Sequence, residues 1–333
     1  SNHFALGNCG YYSALLFKVS MPIIPASACA KTILFGEHAV VYGEPAIALP
    51  VSPLRIKATI EPGIGLEPGT VLVKIPGLGL DTELKSLSKE HPVPIAIQAT
   101  LDSLGISQQP SFRLRLGNNF PLGAGLGGSA AIAIAIARSL SAFLGHPLGQ
   151  SEVNAVAYLA EQSAHGKASG IDNTVVSMEE PIYFQRGHKP EILKPGNLFS
   201  FLIADTGLSK LTQDVVGDIA QKRAENGEIR KIMSSIGGIS KEGRQAFIKG
   251  NLSKIGALID ENQSLLITLG VSSPQLETLI AAARTAGAMG AKLTGGGRGG
   301  CILALIDATK REEISRSLLD AGAKQTFHFE IGP

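Results

Sequence analysis

The stretch PLGAGLGGSAAIAIAIARSLSAFLG, residues 121–145, constrains the fold more than any other. From Ser129 onward it is apolar nearly all round and rich in alanine, and it stops at Gly145. Length, alanine content and the terminal glycine predict a buried helix, despite an Ile–Ala alternation that mimics a strand. The loop before it is different. Gly123, Gly125, Gly127 and Gly128 leave backbone N–H groups open just ahead of a helix N-terminus, whose dipole end is positive. That pairing suits an anion such as a phosphate, and Ser129 stands where a hydroxyl reaches a cation held by phosphates. A tight packing turn is the alternative for a glycine loop taken by itself. Positions 123, 125 and 128 also match a dinucleotide-binding pattern. However, the preceding strand ends near Leu116, Pro121 intervenes, and Glu152 lies beyond a turn, not at the end of a following strand. No Gly-Lys-Ser/Thr closes the loop, so it is not a P-loop.

A chain of 333 residues predicts two domains. With 44% apolar and 17% charged residues and no low-complexity block, it reads as globular. A net charge of +2 without a basic stripe argues against nucleic acid. Cys9, Cys29 and Cys301 are scattered and form no CxxC pair, which predicts neither a disulfide framework nor a zinc site and fits a cytoplasmic setting. No run reaches the roughly 18–20 apolar residues of a membrane span. Residues 1–20 lack a basic n-region and read as a tag or upstream extension in preference to a signal peptide. The polar stretch around Pro190 and Pro195 predicts domains over 21–188 and 189–333. Strands are expected across 23–60, 70–77, 111–118 and 197–207. Helices are expected after Pro94, over 129–145, and from an N-cap at Ser151. Another should start from an N-cap at Ser273, with Pro274 in its first turn.

Three further segments carry chemistry. In KTILFGEHAVVYGEPAIALP, residues 31–50, Glu37 and His38 sit at a turn between two buried strands. In EQSAHGKASGIDN, residues 161–173, Glu161 and His165 share a helix face, and Asp172 follows after Gly166 and Gly170 turn the chain. Two such carboxylates can divide labour, one holding a metal and the other meeting a reacting hydroxyl. Read separately, they are a solvated helix residue and a turn cap. KLTGGGRGGC, residues 292–301, is a second loop open to phosphate, with Arg298 either a phosphate partner or a solvated side chain and Cys301 in the core.

In their order and spacing these motifs resemble the GHMP small-molecule kinase superfamily over nearly all of residues 26–305. The segments KTILFGEHAVVYGEPAIALP and HGKASGIDN resemble its mevalonate kinases. The resemblance implies a two-domain α+β fold. Its N-terminal domain would be like ribosomal protein S5 domain 2 and its C-terminal domain ferredoxin-like, with the site in the cleft between them. It implies transfer of phosphate from ATP, with Mg²⁺, to the primary hydroxyl of mevalonate. By that likeness Asp172 faces the attacking hydroxyl with Lys31 beside it, while Ser129 and Glu161 hold Mg²⁺. Pro121, Gly123, Ala124, Gly125, Leu126, Gly127, Gly128 and Ser129 would cradle ATP, and Glu37, His38 and Thr212 would meet the acceptor. A homodimer is a further expectation. Phosphomevalonate kinase is the nearest rival, but after Lys31 the 31–50 segment has no Lys or Arg for an acceptor that already carries phosphate. A non-catalytic nucleotide-binding protein would not need Lys31, Glu161 and Asp172 together. Gly128, the pair Cys29–Ala30, and Arg298 depart from the pattern, which has serine, Pro-Gly and glycine there.

Overall fold

The computed structural model describes residues 23–165, 168–208, 215, 217–219, 221 and 227–333. Strand β1 (Ile24–Phe35) pairs antiparallel with the long β2 (Ala46–Pro62). Around β2 the first sheet adds β3 (Val71–Ile75), β4 (Leu80–Glu83), β5 (Phe112–Asn118), β6 (Ile182–Phe184) and β7 (Glu191–Ile192), in the order β4-β3-β5-β2-β6-β7. On β5, Phe112, Leu114 and Leu116 point inward and Arg115 is exposed, the period-two pattern of a half-solvated strand.

Helix α2 (Gly128–Phe143) lies on β1 and β2. It is covered by α1 (Pro92–Ser103), α3 (Gln150–His165) and α4 (Ile171–Met178). Its alanines let those neighbours approach on every side, which is why it carries no polar face. Two boundaries differ from expectation. Helix α1 starts at Pro92, before Pro94, because first-turn N–H groups have no helical partner to lose, and His91 caps it by accepting from the Val93 N–H at 3.3 Å. Helix α3 starts at Gln150, so Ser151 lies inside the first turn, and the Glu152 carboxylate accepts the Gly149 N–H at 2.8 Å.

The second sheet contains β8 (Phe199–Asp205), β9 (Gly290–Thr294), β10 (Cys301–Ile306) and β11 (Gln325–Ile331), in the order β11-β8-β10-β9, all antiparallel. Helices α5 (Gly227–Ile248), α6 (Leu252–Leu269) and α7 (Pro274–Thr285) lie between β8 and β9 in sequence. Helix α8 (Arg311–Asp320) lies between β10 and β11. With its strands in the spatial order fourth, first, third, second, this is the ferredoxin-like arrangement. The first sheet extends to Ile192 through the β6–β7 pairing, and the chain passes between the two sheets at 193–198. Among the described residues no helix is long and apolar enough to cross a membrane.

The two units meet along the end of β1. The Ile33 N–H donates to Thr294 Oγ1 at 3.0 Å, and the Thr32 and Thr294 hydroxyls lie 2.9 Å apart, all buried. These bonds tie a strand of the first sheet to one of the second, next to Lys31, Ile33 and Gly295, which line a cleft.

Candidate active site

The cleft has a volume of about 330 Å³ and opens where β1, the 121–128 loop, the first turns of α2 and α4, and Gly295–Gly296 converge. Lys31 enters from β1. The β1–β2 register slips between Cys29 and Ala30, a local irregularity of the kind that re-aims the next side chains. The Lys31 stem is buried, and its Nζ lies 2.9 Å from an Asp172 carboxylate oxygen. Asp172 sits in the first turn of α4, where a negative charge is favoured by the helix dipole, and it remains partly open to the cleft.

The loop explains one glycine sharply. Gly127 caps α2 with φ of 74°, and a Cβ there would stand 2.6 Å from Cγ of Lys31. The lysine passes beneath the helix start only because that Cβ is missing. The backbone holds the same relation, since the Lys31 N–H donates to the Leu126 carbonyl at 3.0 Å. Gly123, Gly125, Gly127, Gly128 and Ser129 line the cleft; Pro121, Ala124 and Leu126 do not, and the last two are buried behind it.

Ser129, in the first turn of α2, donates its hydroxyl to Glu161 from the last turn of α3. Glu161 is 4% exposed, so it is no solvated helix residue. Burial and the charge of Asp172 push its carboxyl up to about 7, against the pull of the Ser129 hydrogen bond and Lys31. A hydroxyl and a carboxylate in contact, with a second carboxylate close enough to be felt, make a hard oxygen set that fits Mg²⁺. Among the described residues no three or more His, Cys, Asp or Glu are grouped so as to hold a metal ion by themselves.

Behind the site, Glu179 at the end of α4 accepts two bonds from Arg55 of β2, both 3.0 Å, and one from Arg138 of α2 at 2.6 Å. Arg138 also donates to the Ser27 carbonyl of β1 at 2.8 Å. One carboxylate thereby ties together the elements that carry Lys31, Ser129 and Asp172.

From the second unit, Gly295 and Gly296 complete the wall. A Cβ on Gly295 would lie 3.1 Å from the Gly125 carbonyl, so the two glycine loops pack backbone to backbone. Arg298, at φ of 56°, gives its guanidinium to Asp218 and the Gly270 carbonyl and does not line the cleft. Cys29 is buried in β1, its thiol pushed up to about 12 mainly by burial, which makes it a core residue. Thr212 lies outside the described residues.

His38 Nε2 is 3.1 Å from the Gly296 carbonyl, which can only accept, so Nε2 carries the proton and Nδ1 is left as an acceptor. Burial lowers the ring from 6.5 to about 4, with the Arg298 charge adding and the Gly296 bond opposing. Between those two values the unfolded chain takes up a proton that the folded chain refuses. Stability is therefore full above pH 6.5 and falls as the pH drops toward 4, by on the order of 3 kcal/mol at most. Thermal unfolding from pH 7.5 to 4.5 should show this decline, and it should be clearly shallower in His38→Asn.

Glu37, expected to meet the acceptor, has its carboxylate engaged by protein groups. It reaches the cleft wall, but one carboxylate oxygen pairs with Lys292 and the other accepts from Asn262 Nδ2 at 3.2 Å. Sequence reading missed Lys292. The available signal was a lysine in GAKLT, a strand otherwise apolar enough to be buried, where an amine needs a partner.

A glycine loop at a helix N-terminus, a hydroxyl–carboxylate pair beside it and a lysine–aspartate pair opposite, all between an S5-like and a ferredoxin-like unit, define a small-molecule phosphotransferase. Residues 90–180 match the GHMP kinases N terminal domain and residues 244–324 the GHMP kinases C terminal. The mevalonate kinase of Aeropyrum pernix is 36% identical over 301 residues, covering 88% of this chain and 90% of that protein. The mevalonate kinase of Pyrococcus abyssi is 33% identical, over 90% and 93% of the two chains. The crystal structure of L. major mevalonate kinase in complex with R-mevalonate superposes with a TM-score of 0.79 at 29% identity, over 93% and 96%. The chain belongs to the GHMP kinase family, in its mevalonate kinase branch. Fold alone does not make that distinction: a Streptococcus pneumoniae phosphomevalonate kinase also superposes at 0.79, with 19% identity.

Proposed function

We propose that this enzyme transfers the γ-phosphate of ATP to the primary hydroxyl of (R)-mevalonate, giving 5-phosphomevalonate and ADP. The observation that carries the reading is the 2.9 Å Lys31–Asp172 pair in one cleft with Ser129 and Glu161, at the N-terminus of α2. Relatives named mevalonate kinase across most of the chain supply the acceptor.

Phosphoryl transfer depends chiefly on positioning and on neutralising charge. The N–H groups of the 123–128 loop and the dipole of α2 face the phosphates. Asp172 receives the acceptor hydroxyl and its proton, and Lys31 offsets charge on the attacking oxygen and the transferred group. Nδ1 of neutral His38 accepts from an acceptor hydroxyl. Ile33, Val40, Leu122 and Ile132 on the cleft wall limit water beside the reacting atoms. Ser129 and Glu161 would hold Mg²⁺, which, when bound, adds positive charge across the phosphates.

The direct experiment measures ADP release with Mg²⁺-ATP across mevalonate, phosphomevalonate, homoserine and galactose, with ³¹P NMR of the product. A phosphate monoester at the primary hydroxyl, formed from mevalonate alone, is the expected result; a diphosphate formed from phosphomevalonate would reassign the acceptor. Ser129→Ala should raise the Mg²⁺ concentration for half-maximal rate by about tenfold, in line with the loss of one oxygen ligand or its orienting partner. A superimposable Mg²⁺ titration would remove Ser129 from the metal site.

A further inference from the structure

We propose that Lys292 is a positioning residue for this reaction, and that its buried pair with Glu37 holds the second glycine loop in register with the first across the two units. The inference rests on the kinase reading and extends it to a residue outside the reacting groups.

Lys292 is fully buried in β9, with its ammonium satisfied on all sides: it pairs with Glu37 and donates to the Leu293 carbonyl at 2.7 Å and the Ile33 carbonyl at 3.3 Å. Two of those partners belong to the first unit. Ile33 lies two residues beyond Lys31 on β1, and Glu37 is in the turn that presents His38. Thr294, two residues beyond Lys292, takes the Ile33 N–H, and Gly296 takes His38. The ends of β1 and β9 are thus joined at Lys292–Glu37, Lys292–Ile33, Thr294–Ile33 and Gly296–His38. The last of these lies at the cleft, and between it and Thr294 is Gly295, whose backbone abuts Gly125 of the phosphate-facing loop.

A buried ion pair is a weak means of adding net stability, because desolvation of both charges offsets their attraction. Burial indeed pushes Glu37 up and Lys292 down, and Lys31 also works against the Lys292 proton. Two apolar residues would fill the same space. What they would not supply is the fixed direction of three ammonium hydrogen bonds, and that direction sets where Gly295 and Gly296 lie.

The test is a double-mutant cycle of Glu37→Gln and Lys292→Met. Each variant is read by unfolding temperature, kcat, KM for Mg²⁺-ATP and for mevalonate, and ADP affinity by titration. Each single variant leaves one buried charge or polar group unmatched and should unfold at lower temperature. The double variant should recover most of that loss, while its kcat and ADP affinity stay about tenfold below those of the parent and mevalonate KM stays within about twofold. Full recovery of kcat and ADP affinity along with stability would reduce the pair to a folding feature and overturn the proposal. So would a raised mevalonate KM in Glu37→Gln with no change in Lys292→Met, since Glu37 would then act on the acceptor. ADP affinity is measured without turnover. An inactive parent would therefore count against the mevalonate reading, and unchanged ADP affinity in all three variants against the positioning role.

Discussion

Asp172→Asn is expected to lower kcat by about 10³-fold while leaving the fold and nucleotide affinity near those of the parent. The asparagine is nearly isosteric, and its amide can still be held in the first turn of α4. It cannot take the acceptor's proton. It also cannot form the ion pair that keeps Lys31 2.9 Å away, so the lysine becomes free to turn toward phosphate or solvent. Because Asp172 is partly exposed in the cleft and the proposed phosphate site is the separate 123–128 loop, ADP should bind within about threefold of normal affinity. Kinetics on the purified variant, with ADP titration and unfolding temperature as controls, decide the matter. Turnover within about tenfold of the parent would take Asp172 out of the proton transfer and leave it as a charge partner of Lys31.

The second large effect belongs to Lys31. Lys31→Met keeps the buried stem filled but deletes the charge, and should cost about 10²–10³-fold in kcat, the range for loss of one preorganised group at developing negative charge. Acceptor KM should change far less than kcat, because the charge matters most as the phosphoryl group moves. Gly127→Ala should act in the same direction without touching the ammonium. Its Cβ would stand 2.6 Å from Lys31 Cγ at a backbone angle of φ 74°, so either the lysine or the start of α2 has to shift. A drop in kcat of about tenfold or more, without loss of ADP binding, would indicate displacement of Lys31. Wild-type kcat in Gly127→Ala would mean that the helix start yields and Lys31 stays in place.

Much of this was readable in advance because it depends on local chemistry. An all-apolar, alanine-rich run of helical length predicts a helix buried on every side, and α2 is that helix, lying on the sheet under other helices. Glycines ahead of its N-terminus, Ser129 just inside it, and Glu161 and Asp172 at the two ends of one short segment were visible as motifs. Their order along the chain carried the resemblance, and with it the expected architecture and acceptor class.

Tertiary structure decided the rest, because it depends on which elements lie side by side. Nothing local to residues 31–50 distinguishes a Glu37 that faces substrate from one whose carboxylate is occupied by an amine from residue 292. Nor does any local pattern announce that Arg298 turns to Asp218, or that Glu179 gathers two arginines from β2 and α2. By itself, the sequence determined the long helices, the main strands, the glycine loop ahead of α2 and the family, since propensity, period and glycine geometry act over a few residues. It did not show the short helix α4 under Asp172 or the short strands β4, β6 and β7. Only the packing of one unit against the other determined which charged side chains face the cleft and which are paired beneath it. A buried charge takes whatever partner the fold brings within hydrogen-bonding reach, and that partner can lie more than two hundred residues away, as Lys292 does from Glu37.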